Sequence, residues 1–282
     1  MKNVKEVVIE KSLLIIAMSA IFMLFLIALF IFKEGTPLIF KIGFKNFILN
    51  AKWVPSEGQF GIGAMILGSL WITLGALVIG VPLGLGCAIF LTEFVSRRVM
   101  SVIKPTVELL AGIPSVVYGF IGVIVLVPFI RQVFGGPGLS ILSASIMLGI
   151  MILPTIISIS VDSLQAVPRS YREGSLALGA TKWQTIRIVV LRAARSGILA
   201  SIILGMGRAV GETMAVIMVS GNAVKIPHSI LEPARALTTN IALEMGFATG
   251  NHRAALFATG VVLFIIIMIL NIVATYAMGR EK

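Results

Sequence analysis

The sequence predicts an all-α integral membrane protein with six transmembrane helices, and three observations predict it. Of 282 residues, 58% are hydrophobic and only 12% charged, against about 25% charged in an ordinary soluble domain. The apolar residues gather in six runs, each of roughly 20 residues and so long enough, as a helix, to cross about 30 Å of hydrocarbon. The runs are continuous rather than alternating, which excludes a closed barrel and leaves helices, since backbone groups in hydrocarbon must bond internally.

The first run covers 13–32 and follows a short segment, 1–12, that carries Lys2, Lys5 and Lys11. It is too long for a signal peptide and ends in Ile31, Phe32, Lys33 and Glu34 without a small-residue cleavage site, so it is expected to stay as a membrane anchor. A loop over 33–64 follows, in which Trp53, Pro55 and the glycine-rich stretch 58–63 suggest an interfacial connection. Five further runs, at 65–91, 106–130, 139–160, 197–220 and 254–278, make a core over 65–278, before a tail at 279–282. Within the runs, Gly80 and Gly84 continue to Gly86, and Gly207 and Gly211 follow Gly205; such spacing lets helices approach closely. The lone cysteine, Cys87, has no partner for a disulfide or metal cluster and is assigned to packing.

The net charge of +11 does not read as a nucleic-acid surface, because the cations sit in short blocks between apolar runs. It reads as topology. Arg97, Arg98 and Lys104, the connection at 165–195, and the tail with Arg280 and Lys282 fall on one side, which the positive-inside bias makes cytoplasmic, together with both termini. Lys33, Lys41, Lys45 and Lys52 dissent, in the loop that this order places outside. The other long outer connection, 221–253, carries Pro227, His228, Pro233 and a helical stretch around Leu237, Ile241 and Met245, and is long enough to meet a partner.

Nothing in the chain reads as an active site. There is no nucleotide phosphate loop, and the run from Gly205 through Gly207 to Gly211 fails the dinucleotide fingerprint at its third glycine. The two histidines, His228 and His252, lie in one outer loop with no zinc-binding spacing. The chain is therefore expected to bind no cofactor or metal and to hydrolyse no ATP by itself.

The connection between the fourth and fifth runs is more specific. It places Glu173 before the small residues Gly174 and Ser175, Leu178 and Gly179 next, and Val190-Leu191 later. This resembles the E-A-A-x-x-x-G loop of ABC importer permeases. It departs from the motif at Gly174, Ser175 and at Arg192, where a proline is common, which leaves the exit angle of the loop open. The stretches Val81–Gly86, Leu110–Phe120 and Gly207–Ala215 resemble the phosphate permeases, PstC type, over nearly the whole chain. The resemblance implies the type I importer permease fold, with a coupling helix at Glu173, Gly174, Ser175, Leu178 and Gly179 seated in a separate ATPase. It also implies a second permease of PstA type, a homodimeric ATPase of PstB type that uses ATP and Mg, and an extracytoplasmic phosphate-binding protein of PstS type. A permease for sulfate or molybdate is the nearer alternative, and an ATP-independent transporter or channel the more distant one.

Two features inside the runs bear on a path. Arg208 and Glu212 lie in apolar sequence, where a charge costs at least about 2.5–3.5 kcal/mol, and their i,i+4 spacing predicts one helix face and a mutual pair. Arg208 with Glu212 and Thr213 is expected to line an anion path, since a guanidinium fork suits phosphate; a permanent pair that only orients two helices is the alternative. Gly112, Pro114 and Ser115 predict a helix break, because Pro114 removes a donor and disfavours helix at Ile113. A helix restarting at Ser115 would aim its positive end inward, and a plain kink is the other reading. Lys104 and Glu108 read as a local i,i+4 pair.

Overall fold

A computed structural model describes residues 4–279. Lys2 and the tail cations Arg280 and Lys282, used above to orient the chain, lie outside the described residues. Among the described residues the regular structure is helical apart from one small hairpin and an isolated bridge between Gly221 and Ala234, and five helices are long and apolar enough to cross a membrane. These are α1 (Val4–Ile42), α3 (Gly63–Glu93), α5 (Ser115–Phe134), α6 (Ile141–Gln165) and α12 (Gly250–Gly279). A sixth is reached if α8 (Lys182–Ala193) and α9 (Arg195–Gly211), bent by 71° at Ala194, count as one span. Between them lie α2 (Phe44–Leu49), β1 (Trp53–Val54), β2 (Gln59–Phe60), α4 (Arg97–Ala111), α7 (Arg169–Ala177), α10 (Met214–Val219) and α11 (Leu237–Glu244).

Two boundaries differ from the sequence reading, and one expected break is present. Helix α1 does not stop at Phe32 but runs ten residues further, to Ile42, through Pro37. Lys33 and Glu34 do not end it because the following residues find an apolar seat: Leu38 and Ile39 are buried against α12 and the hairpin. The third run breaks where Gly112, Pro114 and Ser115 predict, and a new helix restarts at Ser115. It divides at Gly112 to Pro114 into amphipathic α4, which starts back at Arg97, and the span α5. The fifth run divides likewise, α9 ending at Gly211 and α10 starting at Met214.

The centre of the molecule is the crossing of α3 and α6. Glycine makes it close: a Cβ at Gly80 would lie 2.8 Å from the Ile152 side chain, and one at Gly84 would lie 2.8 Å from Ile156. Small residues let backbones approach where no hydrophobic force separates protein from lipid. Hydroxyls complete the seam, with Ser145 donating to the Ile72 carbonyl and Ser160 meeting Ser201 of α9 at 2.9 Å. The second glycine pair behaves differently, since nothing lies within 4 Å of a Cβ at Gly207 or Gly211; these two face open space. Cys87 is exposed rather than packed.

One end of the bundle is closed by the hairpin, with Trp53 opposite Phe60 and Val54 opposite Gln59. Trp53 donates from Nε1 to Glu244 on α11 at 2.8 Å, and the same carboxylate takes Arg235 at 2.6 Å and His252 of α12 at 2.8 Å. This hub fastens hairpin, loop and two helices together. Helix α1 crosses α12 where a Cβ on Gly35 would sit 2.6 Å from the Ala258 nitrogen. Its N-terminal half, through Leu13 to Leu26, stands exposed on all sides.

Candidate functional site

At the end opposite the hairpin, α7 projects from the bundle. It begins after Pro168 and ends on Gly179, which takes φ +82°. The Ala180 amide donates to the Ser175 carbonyl at 3.2 Å and the Gly179 amide to Leu176 at 3.0 Å. That is a Schellman cap, which a left-handed glycine supplies without strain. The next helix opens with a capping box: Thr181 Oγ1 accepts from the Gln184 amide at 3.2 Å, and Gln184 Oε1 accepts from the Thr181 amide at 2.8 Å. The spacing Thr-x-x-Gln was present in the sequence and went unused there.

The outer face of α7 is uncovered. Leu178 is 90% exposed, Tyr171 and Leu176 are exposed, and so are Glu173 and Gly174. The inner side is fixed. Arg172 donates to Glu93 Oε1 from Nη2 at 2.7 Å and from Nε at 3.1 Å, and to the Leu164 and Val167 carbonyls at 2.9 Å each. Lys182 donates to the Glu93 carbonyl at 2.6 Å, and Ser175 meets Thr185 at 3.0 Å. A short helix is thus rigidly mounted on α3 and α6 with an apolar tip and a carboxylate free for another surface. Helix α8 passes through Arg192 unbroken, and the bend falls two residues later, at Ala194.

The two helix breaks lie side by side, with Gly112, Pro114 and Gly211 exposed. Gly119 of α5 lies against Ala215 and Met218 of α10, and Gly122 lies against Val219, so α5 and α10 run parallel from their breaks. Pro114 is the N-cap of α5, and Ser115 starts it. Tyr118 donates to the Leu110 carbonyl at 2.9 Å and so braces the gap. Arg208, in the last turn of α9, reaches across and donates to the Ala111 carbonyl, the end of α4, at 3.5 Å.

The expected pair of Arg208 with Glu212 does not form. Helix α9 ends at Gly211, and Glu212 turns extended, with φ −69° and ψ 131°, which carries its side chain off the face that Arg208 shares. Its carboxylate instead accepts from the Ala215 amide at 3.3 Å, and its carbonyl accepts from Thr238 at 3.1 Å. Thr213 donates to the Gly211 carbonyl at 3.2 Å. Among the described residues Arg208 has no carboxylate partner, only a carbonyl at the limit of bonding distance. It is a half-buried cation at the carbonyl ends of α9 and α4, the negative ends of both helices, beside Gly207 and Gly211, which face open space.

Lys104 does lie near Glu108, at 3.8 Å, and makes its closer contact with Asp162 of α6. His228 and His252 have separate settings: His252 belongs to the Glu244 hub, while the His228 amide donates to Glu232 at 3.4 Å. The hydrogen bond from Lys225, at 3.0 Å, with that amide, holds the Glu232 carboxyl below the usual carboxylate range.

The chain is 44% identical over 242 residues to the probable ABC transporter permease protein YqgH of Bacillus subtilis, covering 84% of this chain and 78% of that one. It is 37% identical over 275 residues to the phosphate transport system permease protein PstC of Mesorhizobium japonicum, covering 90% and 84%. Among solved structures, a bacterial ABC transporter for import of alginate has a chain that matches 97% of this one over 98% of its own length, with TM-score 0.65 at 19% identity. A chain of the MetNI methionine ABC transporter in an inward-facing form matches 75% of this one over 91% of its length, with TM-score 0.58 at 21% identity. Both likenesses are of fold. The model of the binding-protein-dependent transport system inner membrane component family matches residues 80–280, and the chain belongs to that family.

Proposed function

We propose that this chain is a permease subunit of an ATP-driven phosphate importer, supplying half of a translocation path and one lever that opens and closes it. The observation that carries the reading is Arg208: a guanidinium set at two helix breaks, without a carboxylate, on an open face. A charge so placed in apolar surroundings calls for a compensating anion, and the fork geometry suits a tetrahedral oxyanion. The likeness to a relative named as a phosphate transport system permease protein supports phosphate as that anion. Glu212 and Thr213 shape the break rather than neutralise Arg208.

The lever is α7. Its exposed tip, Glu173 to Gly179, is the surface for a separate homodimeric ATPase of PstB type, which holds the ATP and Mg. Motion received there passes by Arg172 to Glu93 on α3, and along α8 and the bend at Ala194 to α9, whose last turn bears Arg208. The opposite end, with the hairpin and α11, faces a phosphate-binding protein of PstS type, and a PstA-type permease completes the path. In this orientation both termini and α7 are cytoplasmic. The test is labelled-phosphate uptake into vesicles carrying the assembled complex, with ATP, binding protein and competing sulfate varied in turn. Uptake needing both ATP and binding protein, and resisting sulfate, supports the reading; uptake by this chain alone, or equal competition by sulfate, refutes it.

A further inference from the structure

Beside the lever, a cleft of about 710 Å³ opens between α4 and the ends of α3, α6 and α7. Its walls carry four cations, Arg97, Lys104, Arg169 and Arg172, against one carboxylate, Glu93. Two of the four are already used: Arg172 by Glu93, and Lys104 by Asp162. Arg97 and Arg169 are exposed, and among the described residues neither pairs with a carboxylate. They stand at the first positions of α4 and α7, whose N-caps, Ser96 and Pro168, make no side-chain cap hydrogen bond. The cleft therefore has a surplus of positive charge from two independent helices. Its lining is mixed, with Met100 and Pro105 beside the cations.

We propose that this cleft binds an anion bearing a phosphate group, gripped between Arg97 and Arg169. Guanidinium groups take a tetrahedral oxyanion through paired charge-assisted hydrogen bonds. Free inorganic phosphate and the headgroup of an anionic phospholipid share that chemistry, and the mixed lining accommodates either. The bound group would tie α4 to α7. Helix α7 is the lever, and α4 ends at the Ala111 carbonyl that Arg208 contacts. Occupancy would thus hold lever and path in one relation and slow the cycle. This consequence rests on the proposed function, whereas the binding itself does not.

The test uses the assembled complex in nanodiscs of phosphatidylcholine, alone or with phosphatidylglycerol, and reads thermal stability without ATP and ATPase rate with it. Inorganic phosphate is the first probe, expected to bind with a dissociation constant on the order of 1 mM, the strength of a few charge-assisted contacts open to water. Three variants are compared: R97Q/R169Q, which removes both charges; R97K/R169K, which keeps charge without the fork; and R98Q, which removes a neighbouring charge outside the cleft lining. Stabilisation by phosphate in neutral lipid, shifted about tenfold or more by R97Q/R169Q, partly by R97K/R169K and not by R98Q, supports the proposal with free phosphate as the source. Stabilisation by phosphatidylglycerol alone, lost in the same variant, supports it with lipid as the source. No response to either probe, or a response equal in wild type and R97Q/R169Q, overturns it. The single variants R97Q and R169Q are carried alongside, so poor assembly of the double variant does not end the test. A complex that fails to import phosphate but still shows the Arg97- and Arg169-dependent stabilisation would refute the proposed cargo and leave this site standing.

Discussion

Replacing Arg172 by alanine should loosen the lever without disturbing the spans. Its guanidinium makes four donor contacts, two to Glu93 and one each to Leu164 and Val167. Truncation strands the Glu93 carboxylate, whose side chain is only 9% exposed, and frees two carbonyls at the end of α6. Breaking a fully buried pair costs about 3–5 kcal/mol. Arg172 is 23% exposed, so water can enter part of the gap, and a cost of about 2–3 kcal/mol follows. That corresponds to roughly a 30- to 150-fold shift between mounted and released α7. Hydrogen exchange followed by mass spectrometry over 169–180 should show the α7 amides opening faster by about that factor, while the spans keep their protection. ATP-driven uptake should fall with it. The added change E93Q should recover part of the loss, because it removes the stranded charge; E93Q alone should cost about 1 kcal/mol, since an amide still accepts from Arg172. Exchange and uptake at wild-type level in R172A, or a double variant worse than R172A, would refute the reasoning.

The other expectations concern path, packing and the outer loop. R208K keeps charge but loses the fork, so uptake should fall about tenfold, and R208Q should fall further; normal uptake by R208K would argue against anion contact. G119V would drive a side chain into Met218 and the Ala215 backbone, with a Cβ contact already at 2.6 Å from Met218 Sδ. It should destabilise the complex by about 1–3 kcal/mol in thermal unfolding, as overpacking does, and an unchanged midpoint would contradict the close approach of α5 and α10. Glu232 contributes stability above the ordinary carboxylate pKa and loses it as pH falls through its own lowered value. K225M removes the main cause of that lowering, so the acid loss should move to higher pH in a stability titration; an unmoved titration would mean that Lys225 does not set it.

What could be read from the sequence was what depends on local spacing. The apolar runs marked the spans, Gly80 and Gly84 marked a real close crossing, and Lys104 and Glu108 do lie within 3.8 Å. The helix at Glu173 and its end at Gly179 were implied by the resemblance of that loop to the ABC importer motif, and the left-handed Gly179 and the Thr181 capping box give them a local cause. The contacts that give α7 its mount and those that fasten the hairpin end were invisible, because Glu93 and Arg172 are 79 residues apart and Trp53 and Glu244 are 191 apart. The error over Arg208 and Glu212 has a local cause. The i,i+4 rule assumes a continuous helix, and the chain leaves the helix at Gly211 with only Thr213, not a proline, to announce it. At 106–130 Pro114 did announce the division that separates α4 from α5, because a proline disfavours helix at the residue before it.

The measurement that bears most directly on the lever is a cross-link from Leu178. In a C87S background, L178C should react with a membrane-impermeant thiol reagent only from the cytoplasmic side, and a short bifunctional reagent should join it to the ATPase subunit, with yield changing when ATP binds. Labelling from the outer side, or efficient assembly and uptake with no cross-link to the ATPase, would contradict the account.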